Sequence, residues 1–166
     1  MSNPLLNQID LPQFSQIQPQ HIKPAVEQAI NDCKSKIEQV ANSGGPYTWN
    51  NLVTSIDAVD DVLEKVWSPI SHMNAVVSTD ELREAHDECL PMLSEFGTWV
   101  GQHQGLYNAY QQFHDSEEFA SLDTAQKKVI NNALRDFKLS GIALSDEDKK
   151  RYGEIQTKLS ELSSQF

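Results

Sequence analysis

Apolar residues recur along this chain at steps of three and four rather than two, a spacing that divides most of it into amphipathic helices. The pattern is clearest between Asp123 and Leu144, where Val129, Ile130, Ala133, Leu134 and Phe137 form one stripe. Both ends of that helix are legible. Asp123 can accept the amide of Gln126 while the Gln126 side chain reaches back to the Asp123 amide, which is a capping box. Gly141 supplies the left-handed residue that closes a helix, and Ile142 then falls where it can touch Phe137 in a Schellman-type stop.

Similar stripes lie on either side. Pro24 is read as the first turn of a helix carrying Val26, Ala29, Ile30, Cys33, Ile37 and Val40, ending near Ser43 in the turn Ser43-Gly44-Gly45-Pro46. Thr48 then caps a helix with Trp49, Leu52, Val53, Ile56, Val59, Leu63, Val66 and Trp67 on its apolar side. Pro69 is expected to break or kink it at Ser68, with Ile70, Met73 and Val76 continuing the same side. Ser78 and Glu81 read as a second capping box, followed by Leu82, Ala85, Cys89, Leu93, Phe96 and Val100, with a bend at Pro91. Gly97, Gly101 and Gly105 read as places where a neighbouring helix comes close. Leu106, Tyr107, Tyr110 and Phe113 mark a short aromatic helix. Ser145 caps the last helix, whose seam Tyr152, Ile155, Leu159, Leu162 and Phe166 has coiled-coil spacing. Ahead of all this, residues 1–23 hold Pro4, Pro12 and Pro19 among scattered apolar residues (Leu5, Leu6, Ile9, Leu11, Phe14, Ile17) and read as an extended arm lying on the body formed by 24–166. The fold class that follows is all-α: an antiparallel array or bundle of about five to seven helices in a single domain or fragment, 1–166.

Charge narrows the partners. Asp and Glu total 24 against 13 Lys and Arg, a formal net charge of -11, which opposes both nucleic acid and anionic membrane surfaces. The first residues hold no basic segment leading into an apolar run, and no later stretch is long and apolar enough to span a bilayer, so the chain reads as cytoplasmic. Cys33 and Cys89 fall on apolar helix faces, where a free thiol is a small hydrophobe.

Residues with chemical potential do not assemble into a catalytic set. His86 and Cys89 are one turn apart with Asp87 and Glu88 between them, but two ligands short of a structural zinc site. His21, His72, His103 and His114 lie far apart in sequence, with no nucleophile elbow and no H-E-x-x-H. The acidic pairs Asp60-Asp61 and Glu117-Glu118 diverge by about 100° on a helix and read as solvated faces. Trp49, Trp67 and Trp99 sit on or beside apolar stripes and read as core, and the Gly44-Gly45 turn lacks the Lys-Ser/Thr of a phosphate loop. No catalytic, cofactor-binding or metal-binding residue is assigned.

Several blocks, taken in order, do carry a resemblance. They are N-P-L-L at Asn3 to Leu6, H-I-K-P-A-V at His21 to Val26, P-Y-T-W-N-N-L at Pro46 to Leu52, E-L-R-E-A at Glu81 to Ala85 and T-W-V-G-Q-H at Thr98 to His103. The most specific are T-A-Q-K-K-V at Thr124 to Val129, A-L-R-D-F-K-L-S-G-I-A-L at Ala133 to Leu144 and R-Y-G-E-I-Q-T-K-L-S-E-L at Arg151 to Leu162. Together they resemble the N-terminal region of the thimet-type zinc oligopeptidases. The resemblance implies a metallopeptidase that cuts short peptides in a deep channel between two largely helical halves. In that family an H-E-x-x-H helix and a downstream Glu hold the zinc, distal to the region matched, so neither zinc nor any catalytic residue carries over to this chain. What is implied here is an N-terminal piece, inactive alone, forming part of the channel wall or lid, with short peptides and the rest of the peptidase chain as partners. The competing expectation is a free-standing interaction module whose last helix docks on a partner helix. In either case the exposed seam is expected to give weak self-association.

Overall fold

The computed structural model describes residues 3–7 and 11–165, and among them the chain is helical with no strand. Its seven α-helices are α1 (Pro19–Ala41), α2 (Ser55–Val76), α3 (Asp80–Gly101), α4 (Gln104–His114), α5 (Glu117–Ser121), α6 (Thr124–Leu139) and α7 (Asp146–Gln165). A 3-10 turn, Phe14–Gln16, precedes α1, and a π-helical segment, Trp49–Thr54, leads into α2.

The hub is α1. Eight of its side chains, Ile22, Ala25, Val26, Ala29, Ile30, Cys33, Ile37 and Val40, are buried, and it packs against α2, α3 and α4. Lys23 pairs with Glu88, Lys34 lies over the Trp99 ring and His103 meets Glu38, so α1 and α3 run parallel at a constant offset of 65 residues, with α2 returning alongside α1. That is the up-down-up arrangement expected when short loops join amphipathic helices. The far side is built by α4, which packs on α6 through Tyr107 and Tyr110 against Phe137, with ring centroids 5.7 and 5.9 Å apart. The last helix, α7, lies along α3.

Helix α1 begins at Pro19, more than a turn before Pro24. Gln18 is extended, its amide is accepted by the His21 ring at 3.1 Å, and Pro19 fills the first helical position, where a missing N–H costs nothing. Pro24 therefore lies inside the helix. It removes the bond to the Gln20 carbonyl, and the burial of Ile22, Ala25 and Val26 around it holds the helix together regardless. Residues 19–23 thus belong to α1 and not to an extended arm, and part of the chain before them packs on the helices. Leu5 and Ile17 are buried, and the Asn3 amide donates to the His21 carbonyl at 2.8 Å, while Leu11 and Phe14 stay exposed; Ile9 is outside the described residues.

Local signals fix most of the other ends. The Asp123–Gln126 capping box is formed in both directions, at 2.8 and 3.2 Å. Gly141 sits at φ +83° with Gly141 N–H on the Lys138 carbonyl and Ile142 N–H on the Phe137 carbonyl, the two bonds of a Schellman stop. Thr48 and Ser145 cap as expected, accepting from Asn51 and Asp148.

Other expectations are settled by tertiary packing. The break at Pro69 is absent, since α2 runs unbroken from Ser55 to Val76 with Pro69 and Ile70 buried, and α3 likewise continues through Pro91 beside the buried Cys89. Ser78 is not the cap of α3. It takes a left-handed φ of 50° and donates its amide to Met73, ending α2, so the cap passes to Thr79, which accepts from Leu82. Val129 and Val76, assigned to apolar stripes, are exposed, with no helix among the described residues covering those sides. Among the three glycines, a Cβ at Gly101 would lie 2.5 Å from the Ser140 Cβ and one at Gly105 3.1 Å from the Ala41 Cβ, whereas one at Gly97 meets nothing. Close approach explains the first two only.

Candidate functional site

The residues with chemical potential are mostly committed to holding helices in place. His103 caps α4: its Nδ1 accepts the Leu106 amide at 3.0 Å, its Nε2 faces Glu38 at 3.3 Å, and its ring meets Trp99 edge-on at 4.7 Å. His21 caps α1. His114 lies on Phe119 at 4.5 Å and contacts Asp115 at 2.9 Å; that hydrogen bond holds the Asp115 carboxyl below the usual range. His72 touches Phe14.

Zinc, the metal implied by the resemblance, does not fit the donors present. His86 stacks on Trp67 at 4.8 Å with Nδ1 2.8 Å from Asp87, while the Cys89 thiol is buried and donates to the Ala85 carbonyl at 3.3 Å. Burial pushes that thiol up to about 11. Cys33 is held likewise, on the Val59 carbonyl at 3.2 Å, and is also pushed to about 11 by burial. No group of three metal-ligating side chains converges among the described residues.

The acidic pairs separate as helix geometry requires, yet neither is wholly idle. Glu118 accepts the Trp49 amide at 2.9 Å, closing an orphan donor at the start of the π-helical segment across a sequence distance of 69. A sequence reading has no means to see that bond. Asp61 pairs with Lys65, and Asp60 edges a cavity of about 400 Å³ between α2, α3, α4 and α6. Ile56, Phe96, Leu106, Tyr110 and Phe137 line that cavity, and Asp136 shares its rim. Partial burial, then the neighbouring Asp57, raises the Asp60 carboxyl. The cavity can hold an apolar group with a positive end, but brings no nucleophile to a base.

The other open surface is α7. Its side toward α3 is polar or small: Gly153 lies where a Cβ would come 3.7 Å from Thr98, and Ser164 donates to Asp87 at 3.0 Å. These contacts make α7 antiparallel to α3. The seam points away, with Ile155, Leu159 and Leu162 at 45%, 52% and 49% exposure; Phe166 is outside the described residues. No helix among the described residues is long and apolar enough to cross a membrane.

Known proteins give this arrangement a context. The sequence model of the neurolysin/thimet oligopeptidase N-terminal domain matches residues 26–149. Over all 166 residues the chain is 55% identical to oligopeptidase A of Escherichia coli K12, and 57% identical to oligopeptidase A of Haemophilus influenzae, in each case covering 24% of the relative. A probable cytosolic oligopeptidase A of Arabidopsis thaliana is 32% identical over 165 residues, 99% of this chain and 23% of its own length. The chain thus spans about a quarter of the length of the relatives it matches.

Proposed function

The chain belongs to the neurolysin/thimet oligopeptidase family as its N-terminal domain, and on that footing we propose that it is the helical N-terminal part of a zinc-dependent peptidase that hydrolyses short peptides. In this reading it forms part of the wall or lid of the substrate channel, and the metal and the catalytic residues belong to the longer chain. The observation that carries it is the identity to oligopeptidase A over the full 166 residues together with the N-terminal domain match. The use of His21 and His103 as helix caps and of both thiols as donors to backbone carbonyls supports a scaffold role. Two buried free thiols and a net charge of -11 suit a cytoplasmic protein that works away from nucleic acid and anionic lipid.

The reading is tested with the gene and two assays. The open frame is read past Phe166, and the 166-residue chain and the natural product are compared for zinc by elemental analysis after dialysis, and for hydrolysis of a quenched-fluorescent short peptide. The proposal expects a frame that continues into an H-E-x-x-H segment, with metal and turnover in the natural product alone. Stoichiometric zinc and turnover in the 166-residue chain would overturn it. So would a natural product of 166 residues, which would mean a free-standing module.

A further inference from the structure

An amphipathic helix ordinarily turns its apolar stripe toward the body that carries it. Helix α7 does the reverse. Its partly covered residues toward α3 are Lys149, Gly153, Gln156, Thr157 and Ser160, with Tyr152 at the edge, while Ile155, Leu159 and Leu162 lie roughly 120° round the axis. Steps of four and three place those three in one narrow seam, the spacing that receives another helix. One flank of the seam is basic at its nearest positions. Arg151 and Lys158 border it, each exposed and, among the described residues, paired with a carboxylate on the next turn of the same helix, Glu154 and Glu161. Such surface pairs exchange readily for better ones.

The charges decide between occupants. In two copies of α7 packed antiparallel, Arg151 and Lys158 would face the same bases; packed parallel, they would face Gln156 and Ser163. Neither arrangement offers them a carboxylate, and each copy brings a net charge of -11. The relatives, by contrast, are about four times as long as this chain, and the matched family domain is the N-terminal one. We propose that the outward face of α7 is the seat for a helix of the catalytic part of the peptidase chain, with Ile155, Leu159 and Leu162 in its seam and carboxylates of that helix opposite Arg151 and Lys158. The inference rests on the reading of the chain as part of a longer peptidase, and it names the partner surface.

The test uses the natural gene product. Its intact mass is measured, it is treated with a water-soluble carbodiimide, which joins an amine to a carboxylate in contact with it, and the partners of Lys158 are identified by mass spectrometry. Amide exchange across 146–165 is followed in the same protein and in the 166-residue chain. The expected result is a link from Lys158 to an Asp or Glu beyond position 166, with exchange at 155–162 at least about tenfold slower in the longer protein. If the product extends past 166 but Lys158 links only to Glu161 and exchange is equally fast in both, the seat is wrong and the peptidase reading stands. Links between isotopically distinguished copies would overturn the proposal in favour of a dimer. A product ending at 166 would overturn the peptidase reading, and the seat with it.

Discussion

Replacing Gly141 with Ala tests how α6 is stopped and how its end is packed. At φ +83° an L-residue is in the left-handed region, which costs about 1–2 kcal/mol; the smaller conformational freedom of Ala in the unfolded chain returns about 0.4–1 kcal/mol of that. The new Cβ would also lie 2.5 Å from the Leu144 Cδ1. Leu144 is partly exposed and can swing aside, at about 0.5–1.5 kcal/mol for leaving its rotamer. The sum is a destabilisation of about 0.5–3 kcal/mol, centred near 2, and the central value corresponds to about 4–8 °C in Tm for a domain of this size. Gly97→Ala is the matched control. It has negative φ, a helix interior and nothing within 4 Å of the new atom, so it should raise stability by about 0.5–1 kcal/mol. Equilibrium unfolding in urea, followed by helical circular dichroism, gives both midpoints. A Gly141→Ala midpoint equal to or above that of the parent, at unchanged m, would refute the left-handed stop and the packing built on it.

Three further outcomes follow from side chains that hold helix ends or lie in the core. His103→Ala should cost about 1–2 kcal/mol by uncapping α4, and His103→Asn should restore most of it because Asn caps well; equal losses in thermal unfolding would show that the ring acts only by packing on Trp99. Glu118→Ala should cost about 1 kcal/mol by freeing the Trp49 amide, while Glu117→Ala stays within about 0.5 kcal/mol. Indistinguishable urea midpoints for the two variants would remove Glu118 from the cap. Burial raises the Cys33 and Cys89 thiols to about 11 from 9.0. The unfolded chain therefore releases these protons first as pH rises, and the stability they contribute, complete below pH about 9, should fall between about 9 and 11. Denaturation midpoints of the parent and of a Cys33→Ala, Cys89→Ala double variant should converge or cross over that window, and parallel slopes would contradict the assignment.

Chain order and local chemistry alone determined a good deal. The caps at Thr48, Asp123 and Ser145, the stop at Gly141 and the buried stripe of α1 were legible because each depends on residues within one or two turns, where backbone donors and acceptors must be satisfied whatever lies further away. The ordered blocks from Asn3 to Leu162 also sufficed to show the family. What depended on distant neighbours was not legible. Pro24, Pro69 and Pro91 are helix breakers in isolation, yet burial of their neighbours outweighs one lost hydrogen bond apiece. Ser78 is by type the better cap of the two, and only the geometry of the stop at α2 assigns the role to Thr79. The Glu118 bond to Trp49 and the cavity beneath Asp60 join residues from separate helices that no spacing rule relates. The seam of α7 is visible in sequence as a periodicity, but periodicity has no direction. Tertiary structure alone decided that the small side meets α3 and that the leucines face outward, because that rotation sets Gly153 against Thr98 and lets Ser164 reach Asp87, contacts between helices that no periodicity encodes.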